Sequence, residues 1–123
     1  MRLRCGFIYV VSKFGEEPTV DQMIMALKDF ADMGLENVEL EGVNKRHLEE
    51  VYSHRKELKN ACDTLGLKVA NFVPMIHHVG SLDSEVLEGV YQQFRLGVEL
   101  ASYFGCETME IDSFLPDLEF SGE

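Results

Sequence analysis

With 123 residues, 46% of them apolar, and no Pro- or Ser-rich tract, the chain has room for one domain with its own core. No apolar run approaches the roughly 18 residues of a membrane span, and Arg2 and Arg4 are not followed by the apolar stretch of a signal peptide. A cytoplasmic protein with no membrane partner is therefore expected, and a net charge of −11, which repels phosphate backbones, argues against nucleic acid as a partner.

Taken in chain order, residues 3–11 (LRCGFIYVV) read as a first strand. Thr19 with Gln22 three positions on makes a capping box for a first helix, whose apolar face is Val20, Met23, Ile24, Leu27, Phe30 and Ala31. Gly34 closes that helix, and NVELEG at 37–42 is the second strand. Asn44 is an N-cap for a second helix bearing Leu48, Val51, Tyr52, Leu58 and Leu65, which Gly66 ends before a third strand, VANFVPMIHH. Asp83 caps a third helix with Val86, Leu87, Val90, Tyr91, Phe94, Val98, Ala101 and Phe104 on its apolar side. Gly105 then precedes a fourth strand, TMEIDSF, which runs into the loop SFLPDLEFSGE.

Three segments, DMGLENVEL, TLGLKVANF and YFGCETMEI, share one grammar in which a helix stops at glycine and a short apolar strand follows. Glycine belongs there because it alone takes the left-handed conformation without steric cost. Regular alternation of single strands and long helices implies right-handed crossovers and a parallel sheet. No GxGxxG or GxxxxGK[ST] loop follows any strand, which removes the strongest cue for a nucleotide-binding doubly wound sheet. A (β/α)₈ barrel runs to about 250 residues, so the chain corresponds to about half of one.

Cys5, Cys62 and Cys106 are odd in number and lack CxxC spacing, which predicts buried free thiols in place of a disulfide framework or zinc knuckle. The basic cluster of Lys45, Arg46, His47, His54, Arg55, Lys56 and Lys59 is interleaved with Glu49, Glu50 and Glu57, as on a solvated helix surface.

One face of each strand should pack on helices, and the other should face the barrel interior and carry function at the strand C-terminal ends. In NVELEG the helix-facing residues are Val38 and Leu40, which turns Glu39 and Glu41 inward. In TMEIDSF, Met109 and Ile111 face the helices, which turns Glu110 and Asp112 inward. Such a carboxylate cluster calls for a cation, a metal or a polyhydroxy substrate, since like charges and desolvation raise carboxylate pKa values. Water-bridged hydrogen bonds, or a lysine or arginine from the other half of a barrel, would satisfy it equally. His77 and His78 end the third strand, where histidine can bind substrate hydroxyls or move protons, with His77 sharing strand parity with Asn71. Tyr9, near the end of the first strand, is a candidate wall over a sugar ring, and Lys13 and Phe14 follow in its loop.

RCGFIY, VDQMIMALKDFADMGLENVELEG, ACDTLGLKVANF and VYQQFRLGVELASYFGCETMEI together resemble the opening of xylose-isomerase-like barrels, the sugar-phosphate isomerase/epimerase family. The resemblance covers essentially the whole chain. It implies the N-terminal half of a (β/α)₈ TIM barrel, residues 1–123 forming a single partial domain of a longer chain. It also implies a cofactor, a divalent metal (Mn, Mg, Co or Zn) in the complete enzyme. In the family's epimerases the ligands, two Glu, one Asp and one His, lie on strands five to eight, so no metal ligand is assigned within this chain. In the related endonuclease IV branch, strands three and four supply metal-binding histidines, and Asp112 departs from that pattern.

These expectations make Glu39, Asp112 and His77 the candidate catalytic residues and Tyr9, Glu41, His78 and Glu110 the candidate substrate contacts, for a sugar or polyol. The expected function is metal-dependent sugar or sugar-phosphate isomerisation or epimerisation, with most of the chemistry in the second half of the barrel and this chain alone inactive. Two alternatives are a self-associating half-barrel that binds without catalysing, and a dehydratase or hydrolase on the same scaffold.

Overall fold

A computed structural model describes residues 4–113, with the side chains of Arg4, Asp112 and Ser113 outside the described set. The helix starts follow their capping residues. Thr19 Oγ1 accepts from the Gln22 N–H at 3.2 Å and Gln22 Oε1 accepts from the Thr19 N–H at 2.9 Å, which opens α2 (Val20–Asp32) with a reciprocal capping box. Asn44 accepts from the His47 N–H ahead of α3 (Lys45–Ser53), and Asp83 accepts from Glu85 and Val86 ahead of α5 (Ser84–Phe104). At the other ends Gly34, Gly66 and Gly105 have φ of +80°, +69° and +70°, as the glycine punctuation predicts.

The strands are β1 (Arg4–Cys5), β2 (Asn37–Gly42), β3 (Lys68–Ile76), β4 (Thr108–Met109) and β5 (Asp112–Ser113). All pairings are parallel in the sequential order β1-β2-β3-β4, with β5 on the far end of β3 beside β4. This is a mixed α/β fold with its helices packed on a parallel sheet. Met23, Leu27 and Phe30 of α2, Val38 and Leu40 of β2, Leu48 and Val51 of α3, Phe72 of β3 and Leu100 of α5 belong to one buried cluster. Removing these side chains from water supplies roughly 1.5–3 kcal/mol each and drives the packing. Among the described residues, no helix is long and apolar enough to cross a membrane.

Four local features differ from the sequence reading. Among the described residues the first strand covers Arg4–Cys5, and Phe7–Phe14 forms a helix, α1. The β-branched and aromatic run FIYVV favours a strand locally, but as a helix it buries Val10 in the core and lays the Tyr9 ring edge-on against Phe30, with centroids 5.1 Å apart. Tertiary packing overrides a propensity worth a few tenths of a kcal/mol per residue. Second, the second helix is broken at His54 into α3 and α4 (Arg55–Leu65). There the Arg55 guanidinium donates to the Tyr52 carbonyl at 2.7 Å while stacking 4.1 Å from the Tyr52 ring and 5.4 Å from the Tyr103 ring.

Third, the fourth strand divides into β4 and β5, and Ile111 between them is exposed instead of packing on helices. Met109 keeps its expected side, because a Cβ placed on Gly97 of α5 would lie 3.6 Å from its sulfur. Fourth, His47 does not belong to a solvated basic surface, being fully buried. Its Nδ1 accepts from the Val43 N–H at 3.0 Å, so the proton sits on Nε2, which donates to the Pro18 carbonyl at 2.8 Å. Of the three free thiols, Cys62 is buried and Cys5 and Cys106 are half-buried.

Candidate functional site

The alternation along β2 sends Val38 and Leu40 into the helix-facing core and leaves Glu39, Glu41 and Val43 on the other face. The β2–β3 register shifts between Val38 and Glu39, so that Val38 pairs with Val69 and Glu39 pairs with Asn71, skipping Ala70. Without that bulge Asn71 would fall one step out of phase and turn toward the helices.

The shift builds a polar row across the sheet. Asn71, which is buried, donates through Nδ2 to Glu39 Oε1 at 3.3 Å and to Glu110 Oε2 at 3.5 Å, and its Oδ1 accepts from the Thr108 hydroxyl at 2.9 Å. One amide thus uses both donors and its carbonyl to connect β2, β3 and the residues around β4. On the β1 side the row is closed by Gly6, where a Cβ would come within 2.7 Å of Glu39 Cβ. Only glycine admits the chain so close to that carboxylate. The neighbouring Cys5 thiol is pushed up in pKa, first by burial and further by the negative charge of Glu39.

Glu41 is the unusual member of this face. Its side chain is 1% exposed, and neither carboxyl oxygen has a hydrogen-bond partner among the described residues. It stands in register with Val73, beside the small apolar cluster of Val43, Val73 and Met75 on which Phe7 packs. Burial, reinforced by Glu39, pushes its pKa up to about 8, so the group is mostly a neutral acid at pH 7.

Glu39, Glu41 and Glu110 therefore share the face that parity assigns them, and Asn71 joins two of the three. Tyr9 is not at a strand end: it sits on α1, and its hydroxyl donates to Asp29 at 2.7 Å, with Lys13 paired to the same carboxylate. That arrangement ties α1 to α2 and takes Tyr9 out of the proposed sugar wall. His77 and His78 are exposed in the turn that follows β3, with His78 at φ +63°. The backbone of Asp112 pairs with Met75, while its side chain lies outside the described residues.

Asn71 and Thr108 are the site residues that sequence reasoning did not select. The available signal was an asparagine inside VANFVPMI, a strand buried along nearly its whole length. A buried polar side chain requires partners, and here it supplies them to two carboxylates. Chemically, the face offers acceptors for hydroxyl groups, a carboxylate suited to proton abstraction, and a protonated acid. No three His, Cys, Asp or Glu side chains among the described residues form a group able to hold a metal ion.

No protein-family model matches the chain, and no curated protein matches it.

Proposed function

We propose that the chain forms the N-terminal half of a xylose-isomerase-like (β/α)₈ barrel and works in a sugar or sugar-phosphate isomerase or epimerase. The sequential parallel order β1-β2-β3-β4, with no reversal of direction along the sheet, supports a barrel segment over a doubly wound sheet, in which the order reverses at a switch point. The observation that carries the reading is Asn71 held between Glu39 and Glu110 on the face turned away from the helices.

In this role Glu39 takes the proton from the hydroxyl-bearing carbon beside the sugar carbonyl, the electron pair passes to the carbonyl oxygen to give an enediolate, the hydroxyl proton moves across to that oxygen, and Glu39 returns its proton to the former carbonyl carbon, while Asn71 fixes the carboxylate by one of its oxygens. Glu110 and Thr108 accept and orient hydroxyl groups. Most of the remaining catalytic groups, including any metal ligands, belong to the second half of the barrel. The test is an NMR titration of the ¹⁵N-labelled chain with D-fructose and D-xylulose. Saturable shifts at the amides of Glu39, Asn71, Thr108 and Glu110, lost in Glu39→Gln, are expected. If none of those amides moves, the sugar reading is wrong.

A second reading, a self-associating half-barrel that binds without catalysis, is favoured by α5, where Tyr91, Phe94 and Val98 are exposed on one flank.

A further inference from the structure

Few interactions hold α1 to the rest of the fold. The helix has eight residues, below the length at which an isolated helix is stable in water, and its opening run FIYVV is made of poor helix formers. No side chain caps its start, whereas Thr19, Asn44 and Asp83 cap α2, α3 and α5. Val10 is the one fully buried residue of α1, while α2 buries Val20, Met23, Ala26, Leu27 and Phe30, and Ile8 is 81% exposed.

The attachments of α1 have the form of two hinges and a latch. Gly15 follows the helix at φ +93° and ψ −179°, a conformation nearly confined to glycine, with open space around it. Gly6 precedes the helix and lies against Glu39, where a Cβ would come within 2.7 Å of the Glu39 Cβ. The latch is Asp29 of α2, whose carboxylate accepts from the Tyr9 hydroxyl at 2.7 Å and pairs with Lys13. On the inner side Phe7 packs on the cluster of Val43, Val73 and Met75, the same end of the face as Glu41. Glu41 is 1% exposed, with both carboxyl oxygens unpartnered among the described residues. β1 pairs with β2 at Asn37 and Val38, and beyond them β2 has α1 beside it in place of a strand. Opening lets water donate to Glu41, which offsets part of what is lost when Phe7 and Val10 leave their packing.

From this balance we infer that α1 is a lid on the polar face, hinged at Gly6 and Gly15 and latched at Asp29, that swings off β2 while the remaining fold stays intact. The open state uncovers Glu41 and the apolar cluster beside it, so the lid governs access to that end of the face. It does so whatever compound the face takes, and thus goes beyond the sugar reading.

Hydrogen exchange of the ¹⁵N-labelled chain at pH 7, together with methionine oxidation by hydrogen peroxide, tests for the lid without any ligand. We expect the amides of residues 11–14 to have protection factors at least about tenfold lower than the core amides of α2 and α5. Met75, packed with Phe7 and 6% exposed, should oxidise faster than Met23, which is 2% exposed in the main core. Glu41→Leu removes the unpartnered acid from the closed state and should slow both processes about tenfold. Asp29→Ala removes the latch and should speed both, with exchange in α5 unchanged. Protection of residues 11–14 equal to that of α2, or Met75 oxidation no faster than that of Met23, overturns the lid. So does a Glu41→Leu chain in which neither rate falls. If Asp29→Ala speeds exchange in α5 as much as in α1, the helix opens only with the whole core and the lid is likewise overturned. Because no sugar is present, a failed sugar titration leaves the lid standing, and a failed lid leaves the sugar reading standing.

Discussion

Glu41 lies two residues beyond Glu39 on the same face of β2, yet Glu39 has the Asn71 amide as a partner and Glu41 has none among the described residues. The two carboxyls therefore differ in role, one held by a hydrogen bond and the other kept as a neutral acid by burial.

That difference sets a pH dependence. The Glu41 pKa rises from 4.5 to about 8 on folding, so the native state binds the extra proton between those values. The stability this provides is complete below pH 4.5 and is lost as pH rises towards 8. At pH 7 the deficit is roughly 3 kcal/mol, reckoned at 1.36 kcal/mol per pH unit. Glu41→Gln removes the titration, so its melting temperature should exceed that of the parent at pH 7 and the gap should close at pH 4. Thermal melts across this range check it, and a gap independent of pH would contradict the assignment.

His47 should act in the opposite sense. Burial lowers its pKa from 6.5, opposed mainly by the Pro18 carbonyl that accepts its Nε2 proton. Because the unfolded chain binds the proton more readily, the stability from neutral His47 is full above 6.5 and is lost as pH falls below it. His47→Ala leaves the Val43 N–H and the Pro18 carbonyl without their partner and opens a cavity. We expect a loss of about 2–4 kcal/mol in urea unfolding at pH 7.5.

Asn71→Asp would place a third carboxylate between Glu39 and Glu110 and remove the donor they share. A destabilisation of about 2–4 kcal/mol at pH 7 is expected, since an unpaired charge is forced into a buried position. It should shrink near pH 4 as the introduced carboxyl, disfavoured as a buried charge, takes up a proton, which melts at the two pH values will show.

At the helix ends, Gly34→Val and Gly66→Val should each cost at least ~1 kcal/mol, and alanine less, because both positions have positive φ. Both have open space around the missing Cβ, so the cost is conformational and not steric crowding. Urea midpoints with unchanged m-values would confirm that the native fold persists.

The exposed flank of α5 predicts association. Phe94 is 38% exposed and Val98 44%, and the two lie one helical turn apart. Light scattering should find the parent chain larger than a monomer and Phe94→Glu shifted towards monomer. A parent chain that is a rigid monomer with a sharp near-UV spectrum would argue against the self-associating reading.

The features legible in the sequence are those decided within a few residues. The capping side chains of Thr19, Asn44 and Asp83 act on N–H groups two or three positions away, and Gly66 answers a steric demand of its own backbone. The parity of Val38, Glu39 and Leu40 follows from the pleat alone. The tertiary structure decided whatever depends on a distant partner. FIYVV becomes helical because Val10 and Tyr9 find α2, and His47 is drawn inside because Val43 and Pro18 offer both ring nitrogens a partner. The polar row exists because one skipped residue, Ala70, brings Asn71 level with Glu39. Register between strands is set by the summed packing of both faces, a quantity that no local stretch of sequence contains.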